Sequence, residues 1–257
     1  MARVLMPLPS TDFDPSESAV PFTVLTEAGH EVVIATPDGR PAQADPIVLR
    51  GPLGALSGSM KASPEVARLY EAMREHDAYA HPLAWANLRD ADVDGLFLVG
   101  GHAPGMKPYL ESEDVRQAVL RIFGRHPVAA ICHGVLVLAR TIDPSTSRSV
   151  LAGGTSTCLP SYMERLAWHT TRWRLGDYYK TYPADVEEEV TQALGPDGEF
   201  VRGPTHLFAK GTRADDRNAF VVDDGDYLSA RWPGDAWLIA RRFAERLPDI
   251  VAASPAA

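Results

Sequence analysis

The chain of 257 residues is poor in cysteine, with only Cys132 and Cys158, too few for a disulfide framework and at no spacing that makes a zinc site. A reducing, cytoplasmic setting is the expectation. Long apolar runs are missing as well. None reaches the length of a bilayer span, and residues 1–9 are broken by Pro7 and Pro9 too early for a signal peptide, so a soluble, unexported protein with no membrane partner is expected. There is no long basic run, and the formal charge is −9, which argues against nucleic acid or an anionic membrane and for a small-molecule substrate or another protein. Internal repeats and low-complexity tracts are absent, and residues 251–257 read as a flexible tail. What remains is a hydrophobic content of 45%, enough for one sizeable core and a single domain over 1–250.

The chain is organised around Val128-Ala-Ala-Ile-Cys-His-Gly134. Four apolar residues predict a short strand covered on both faces, and the apolar, helix-forming run after Gly134 predicts a helix. Cys132 then falls in the turn between them, over the carboxyl edge of a sheet, where helix N–H groups and the helix dipole favour thiolate. The alternative is a buried cysteine that packs as a small apolar residue, and this is the expectation for Cys158.

The patterning elsewhere alternates strand and helix. Strands are predicted at 3–6, 31–35, 93–99, 128–131 and 149–152, with a hairpin formed by 219–222 and 227–231. Helices are predicted from Pro15 to the stop at Gly29, at 64–74 behind Ser63 as N-cap, at 113–123, after Pro160, and at 235–247, the last turning Trp237, Leu238, Ala240, Phe243 and Ala244 inward. Residues 40–62 read as loop or irregular edge. The order strand, helix, strand at the start implies an α/β fold with a parallel sheet. A second turn, Gly100-Gly-His102, ends the strand at 93–99, and two glycines there let backbone N–H groups approach a ligand. The N–H groups of Gly101 and His133 are the candidate oxyanion donors. Trp168, His169, Trp173, Tyr178 and Tyr179 crowd one segment and predict core, a pocket mouth or a subunit contact.

In order and kind these motifs resemble the DJ-1/PfpI superfamily, and within it the Hsp31-like branch often labelled class I glutamine amidotransferase-like. The resemblance rests on Glu17 in Ser16-Glu17-Ser18, on Thr36-Pro-Asp-Gly39 with Asp45-Pro46, on Gly100-Gly-His102 and on Ala130-Ile-Cys-His-Gly134. It spans about half of the chain, and residues 165–218 match nothing in it, so they are treated as an insert or cap. The resemblance implies a flavodoxin-like three-layer sandwich with a mostly parallel central sheet and the nucleophile turn after a central strand. It implies Cys132 as nucleophile, Glu17 as the carboxyl group that hydrogen-bonds or protonates at the sulfur, and His133 as general acid/base. Gly100, Gly101, His102 and Gly134 form the corresponding oxyanion and substrate-binding set. The family pattern sets the acid that orients the histidine directly after Pro160, where this chain has Ser161, and Glu164 is the nearest candidate.

The activity implied is that of a cysteine-dependent lyase or hydrolase without cofactor or metal, acting on a small carbonyl compound as the glyoxalase III-like members do, from 2-oxoaldehyde to 2-hydroxy acid. Two alternatives stand beside it: hydrolysis or hydration of amide, peptide or nitrile-like substrates, and a redox-sensing or chaperone-like stress protein. The distant His-x-Glu pair of true amidotransferases is absent, which argues against glutamine hydrolysis. Family habit and the aromatic-rich segment imply a homodimer.

Overall fold

Short apolar runs bounded by turn residues become seven strands of one sheet in the computed structural model, which describes residues 1–53, 57–205 and 209–247. In chain order they are β1 (Arg3–Pro7), β2 (Glu31–Thr36), β3 (Leu83–Ala84), β4 (Gly95–Leu98), β5 (Val128–Ile131), β6 (Val221–Asp224) and β7 (Tyr227–Ala230). The spatial order is β6-β7-β5-β4-β1-β2-β3, parallel throughout except for β6, which pairs antiparallel with β7. Every residue of β4 and β5 is buried, as expected of strands covered on both faces.

The helices are α1 (Pro15–Glu27), α2 (Pro64–Glu75), α3 (Glu113–Ile122), α4 (Val135–Ala139), α5 (Ser161–Leu175), α6 (Val186–Leu194) and α7 (Ala236–Ala244). One layer packs α1 against α2 and α7, and the other joins α3, α4 and α6, so the sheet lies between two helical layers in the expected flavodoxin-like α/β sandwich. Helix α1 starts where Asp14 accepts the N–H groups of Ser16 and Glu17 at 2.7 and 3.2 Å, with Pro15 in the first turn. Ser63 caps α2 through the Val66 N–H.

Several local expectations change. Residues 149–152 form no strand of the central sheet: Arg148–Ser149 makes a two-residue hairpin with Ile142–Asp143, and a turn follows. The run is apolar because Leu151 is buried, and burial alone does not distinguish strand from turn. The 40–62 stretch is less irregular than predicted. Its Gln43–Ala44 strand pairs with Thr11–Phe13, and Asp45 caps a short helix at Pro46–Arg50 by accepting the Ile47 and Val48 N–H groups. In α7 the inward face is Ala236, Trp237, Ile239, Ala240 and Phe243, with Leu238 and Ala244 only partly buried. The tail at 251–257 lies outside the described residues.

Residues 165–218 carry most of α5, then α6, then a two-residue strand at Glu199–Phe200 that pairs with Thr155–Ser156. The chain then returns beside α1 and α7, tied by Gly211 N–H to the Gly234 carbonyl at 2.8 Å and by Arg213 to Glu27.

Candidate active site

The carboxyl ends of β1, β4 and β5 meet at one point above the sheet, and the three turns that leave them build the site. Strand β5 ends in extended backbone at Ile131. Cys132 then takes φ of +57°, a left-handed conformation that a non-glycine residue adopts at some cost, and a tight turn over Cys132–Gly134 leads into α4. This is the strained strand-to-helix elbow that holds a nucleophile out over a sheet edge.

Two glycines make the packing possible. A Cβ at Gly100 would overlap Glu17 Oε2 and sit 2.7 Å from the Cys132 Cβ and 2.6 Å from the Ile131 carbonyl oxygen. One at Gly134 would lie 2.5 Å from the carbonyl oxygens of Leu98 and Val99. Gly134 therefore serves the close approach of the elbow to β4. Of the expected oxyanion and substrate-binding set, Gly101 and His102 line the cleft, whereas Gly100 and Gly134 are not among its lining residues.

Glu17 is fully buried in the first turn of α1. Neither of its carboxyl oxygens has a well-formed hydrogen bond among the described residues, and its reactive neighbour is the Cys132 thiol. Burial, reinforced by the charge of Asp14, pushes the Glu17 carboxyl well above the usual carboxylate range and favours the neutral acid. The thiol of Cys132, 2% exposed, is pushed up by burial and by Glu17, while the N–H groups of His133 and Gly101 face the sulfur and oppose that shift. The donors expected at the turn are present, yet desolvation outweighs them in the free protein, so the expected preference for thiolate does not hold there. The sulfur and the carboxyl share a site in which ionisation of one discourages ionisation of the other.

His133 lies behind the elbow, fully buried. Its Nδ1 is 3.6 Å from the Cys132 Sγ, and its Nε2 is 3.8 Å from Glu164 Oε1, longer than a hydrogen bond. Glu164, in the first turn of α5, accepts the Val186 N–H at 3.0 Å through its other oxygen. Burial, with His102 and Arg140 nearby, keeps the His133 imidazole well below its usual value and therefore neutral, while burial pushes Glu164 up to about 7. A proton on Nε2 would point at Glu164 and leave the Nδ1 lone pair toward the sulfur.

Cys132 and Glu17 form the floor of a cleft of about 250 Å³. His102 lines it, its ring edge-on to Tyr179 at 4.3 Å and its imidazole lowered to about 4 by burial. Asp12, Asp14 and Asp45 also border it, as do Met163, Leu166 and Ala167 of α5. Of the expected residues, Cys132, His133, Glu17, Glu164, Gly100, Gly101 and His102 come together here. Cys158 is buried elsewhere, its sulfur directed at the Leu159 carbonyl.

Sequence reasoning missed Asp12, Asp14, Asp45 and Trp232 as cleft residues. Asp14-Pro15 and Asp45-Pro46 carried a helix-cap signal, the latter also part of the family resemblance, but nothing local marked Asp12 or Trp232. The aromatic segment divides. Tyr178 donates to Asp45 Oδ1 at 3.2 Å, Tyr179 lines the cleft, Trp168 bonds Asp177 beside Arg172 and Lys180, and Trp173 is 75% exposed. Among the described residues no cluster of His, Cys, Asp or Glu is placed to hold a metal ion, and no helix is long and apolar enough to cross a membrane.

Solved structures of the same architecture cover nearly the whole chain. The Rapid Encystment Protein of Francisella tularensis aligns with a TM-score of 0.69 at 18% identity over 97% of this chain and 100% of its own. Glyoxalase III from Candida albicans gives 0.68 at 17% over 96% and 98%, and Drosophila melanogaster DJ-1beta gives 0.55 at 21% over 96% and 90%. The comparison with curated proteins finds no match. The model of the ThiJ/PfpI family-like group matches residues 8–204, well over half of the sequence, and together with the elbow geometry this makes the chain a member of the ThiJ/PfpI family.

Proposed function

We propose that the protein is a cofactor-independent cysteine enzyme of the Hsp31-like branch that converts a 2-oxoaldehyde to a 2-hydroxy acid. The observation that carries this reading is the placement of the Cys132 sulfur between a buried carboxyl without a well-formed hydrogen bond, Glu17, and a neutral imidazole, His133. Two proton-exchanging groups with opposite pKa displacements beside one nucleophile suit a reaction that moves a proton between adjacent carbons. The glyoxalase III of Candida albicans shares the fold, which supports the choice of reaction.

In this mechanism the thiol proton passes to His133 Nδ1 as sulfur adds to the aldehyde carbon. The resulting hemithioacetal oxygen takes its proton from Glu17, with the Gly101 and His133 N–H groups beside it. The Glu17 carboxylate then removes the proton on C1 while the His133 imidazolium protonates the C2 oxygen, giving an enediol; return of the proton from Glu17 to C2, with loss of the C1 hydroxyl proton to His133, leaves a thioester on Cys132. Water then hydrolyses the thioester, releases the 2-hydroxy acid and restores the thiol. Glu164, next to the far nitrogen of His133, orients the ring and stabilises the imidazolium while it exists. The overall change is substrate plus one water.

Purified protein supplied with a panel of 2-oxoaldehydes should yield the matching 2-hydroxy acids. Cys132→Ala should abolish turnover, and Glu17→Gln, which keeps the shape but not the exchangeable acid, should lower kcat by roughly 10²–10⁴-fold. Unchanged turnover in Cys132→Ala would dispose of the reading. An acyl-enzyme mass on Cys132 with amides, and no 2-hydroxy acid from any aldehyde, would replace it with hydrolysis.

A further inference from the structure

The cleft above Cys132 is larger than a three-carbon oxoaldehyde requires, and its lining is of two chemical kinds. Apolar groups come from Met163, Leu166 and Ala167 of α5, Leu159 before it, Val48 from the short helix after Asp45, and Trp232. The described lining also holds four carboxyl groups, those of Asp12, Asp14, Glu17 and Asp45, and neither lysine nor arginine. Three of the four have backbone partners: Asp12 accepts the Gly105 N–H at 2.8 Å, Asp14 the first turn of α1, and Asp45 the turn after it. They are anchored parts of the wall, and Lys210, whose charge bears on Asp14 and Glu17, does not border the cavity.

A carboxylate or phosphate on the substrate would meet acidic groups in a partly desolvated space, with no lysine or arginine among the described lining residues to pair with. An aryl or branched alkyl group would instead remove water from the apolar side chains, and small differences in apolar bulk are worth roughly 10–200-fold in specificity. We infer that the cleft selects uncharged carbonyl compounds bearing a bulky apolar substituent, with the reactive carbonyl over Cys132 and the substituent against α5. This specifies the substrate class of the site proposed above, and as a substrate claim it rests on that reading. The preference for shape and charge, however, belongs to the cleft whatever reaction occurs there.

The test measures Cys132 alkylation by intact-protein mass spectrometry with bromoacetone, 2-bromoacetophenone and its 4-carboxylate, each rate divided by that of a free thiol in solution. The neutral aryl reagent should react at least about 10-fold faster, on this scale, than the small one and than the carboxylate. Ala167→Trp, which fills the space beside α5, should erase the aryl advantage. In parallel, kcat/KM is compared for phenylglyoxal and methylglyoxal. Rate ratios equal to those of the free thiol would overturn the inference even if methylglyoxal is turned over. The alkylation preference without turnover of any oxoaldehyde would uphold the cleft's selectivity and overturn the glyoxalase reading instead.

Discussion

Helix α4 leaves the Cys132 elbow and α5 lines the cleft that holds its sulfur, and the two are built in contrasting ways. All five residues of α4 are buried, and it is packed so closely to β4 that Gly134 admits no side chain. Of the fifteen residues of α5, only Glu164 and Thr171 are buried. The floor is held by apolar burial at about 25 cal/mol per Å², whereas the cover is fastened largely by polar contacts worth about 1 kcal/mol or less each. On α5 these are Glu164 to the Val186 N–H at 3.0 Å and Arg165 to Asp185, and on the segment after it Thr181 to the His102 carbonyl at 2.7 Å and Tyr178 to Asp45. The difference implies a division of labour: the stiff floor sets the geometry of sulfur, carboxyl and imidazole, and the lightly held cover shapes the space above them.

The most damaging way to probe that contrast is at the floor. Gly100→Ala places a methyl group against Glu17 and the Cys132 Cβ, and should cost about 1–3 kcal/mol in urea denaturation and remove turnover together. A variant with full stability and full activity would show that the floor yields more than its packing implies.

Next comes Glu164, where cover meets floor. Its carboxyl is held at about 7 in the folded protein, above the value near 4.5 of the unfolded chain. The folded state therefore binds more protons between these values, and this group makes stability fall as pH rises from about 4.5 to 7, with no further change above. Glu164→Gln keeps an acceptor for the Val186 N–H and should flatten that slope, by on the order of 1–3 kcal/mol across the interval in urea midpoints read as free energies. An unaltered pH dependence would place the shifted proton on another group, with Asp45, pushed up to about 6, the first to examine.

The smallest effect is expected at the outer face of α5. Trp173→Ala removes a side chain that is 75% exposed, and unfolding free energy should stay within about 0.5 kcal/mol of the parent. A loss above about 1 kcal/mol that depends on protein concentration would mean that another copy covers this face.

The parts of the site legible in the sequence are those that sit next to one another or next to a strong local signal. The run Val128–Ile131 is a short apolar stretch of the kind a buried strand gives, and Gly134 with the helix-forming run after it calls for a turn there, so Cys132 and His133 were located by chain continuity. Glu17 was legible through the start of α1 and the family pattern. Gly134 was misread because a glycine beside a nucleophile can serve either ligand approach or backbone packing, and only the neighbouring carbonyls of Leu98 and Val99 decide between them. The two-residue edge strand β3 left no periodicity to read, and the strand expected at 149–152 had an apolar run without a pairing partner in the sheet.

Local pattern alone determined that this chain alternates strands and helices, that one cysteine ends a central strand, and that a carboxylate opens the first helix, because each of these is a property of consecutive residues. Tertiary structure decided that Glu17 and Cys132, more than a hundred positions apart, share a desolvated space, that burial raises both their pKa values, and that Glu164 faces the far side of His133. It also decided that acids from two separate segments, 12–17 and the turn at Asp45, border an apolar cleft. Such relations depend on which strands become neighbours in the sheet, and proximity across a fold is set by the packing of the whole core.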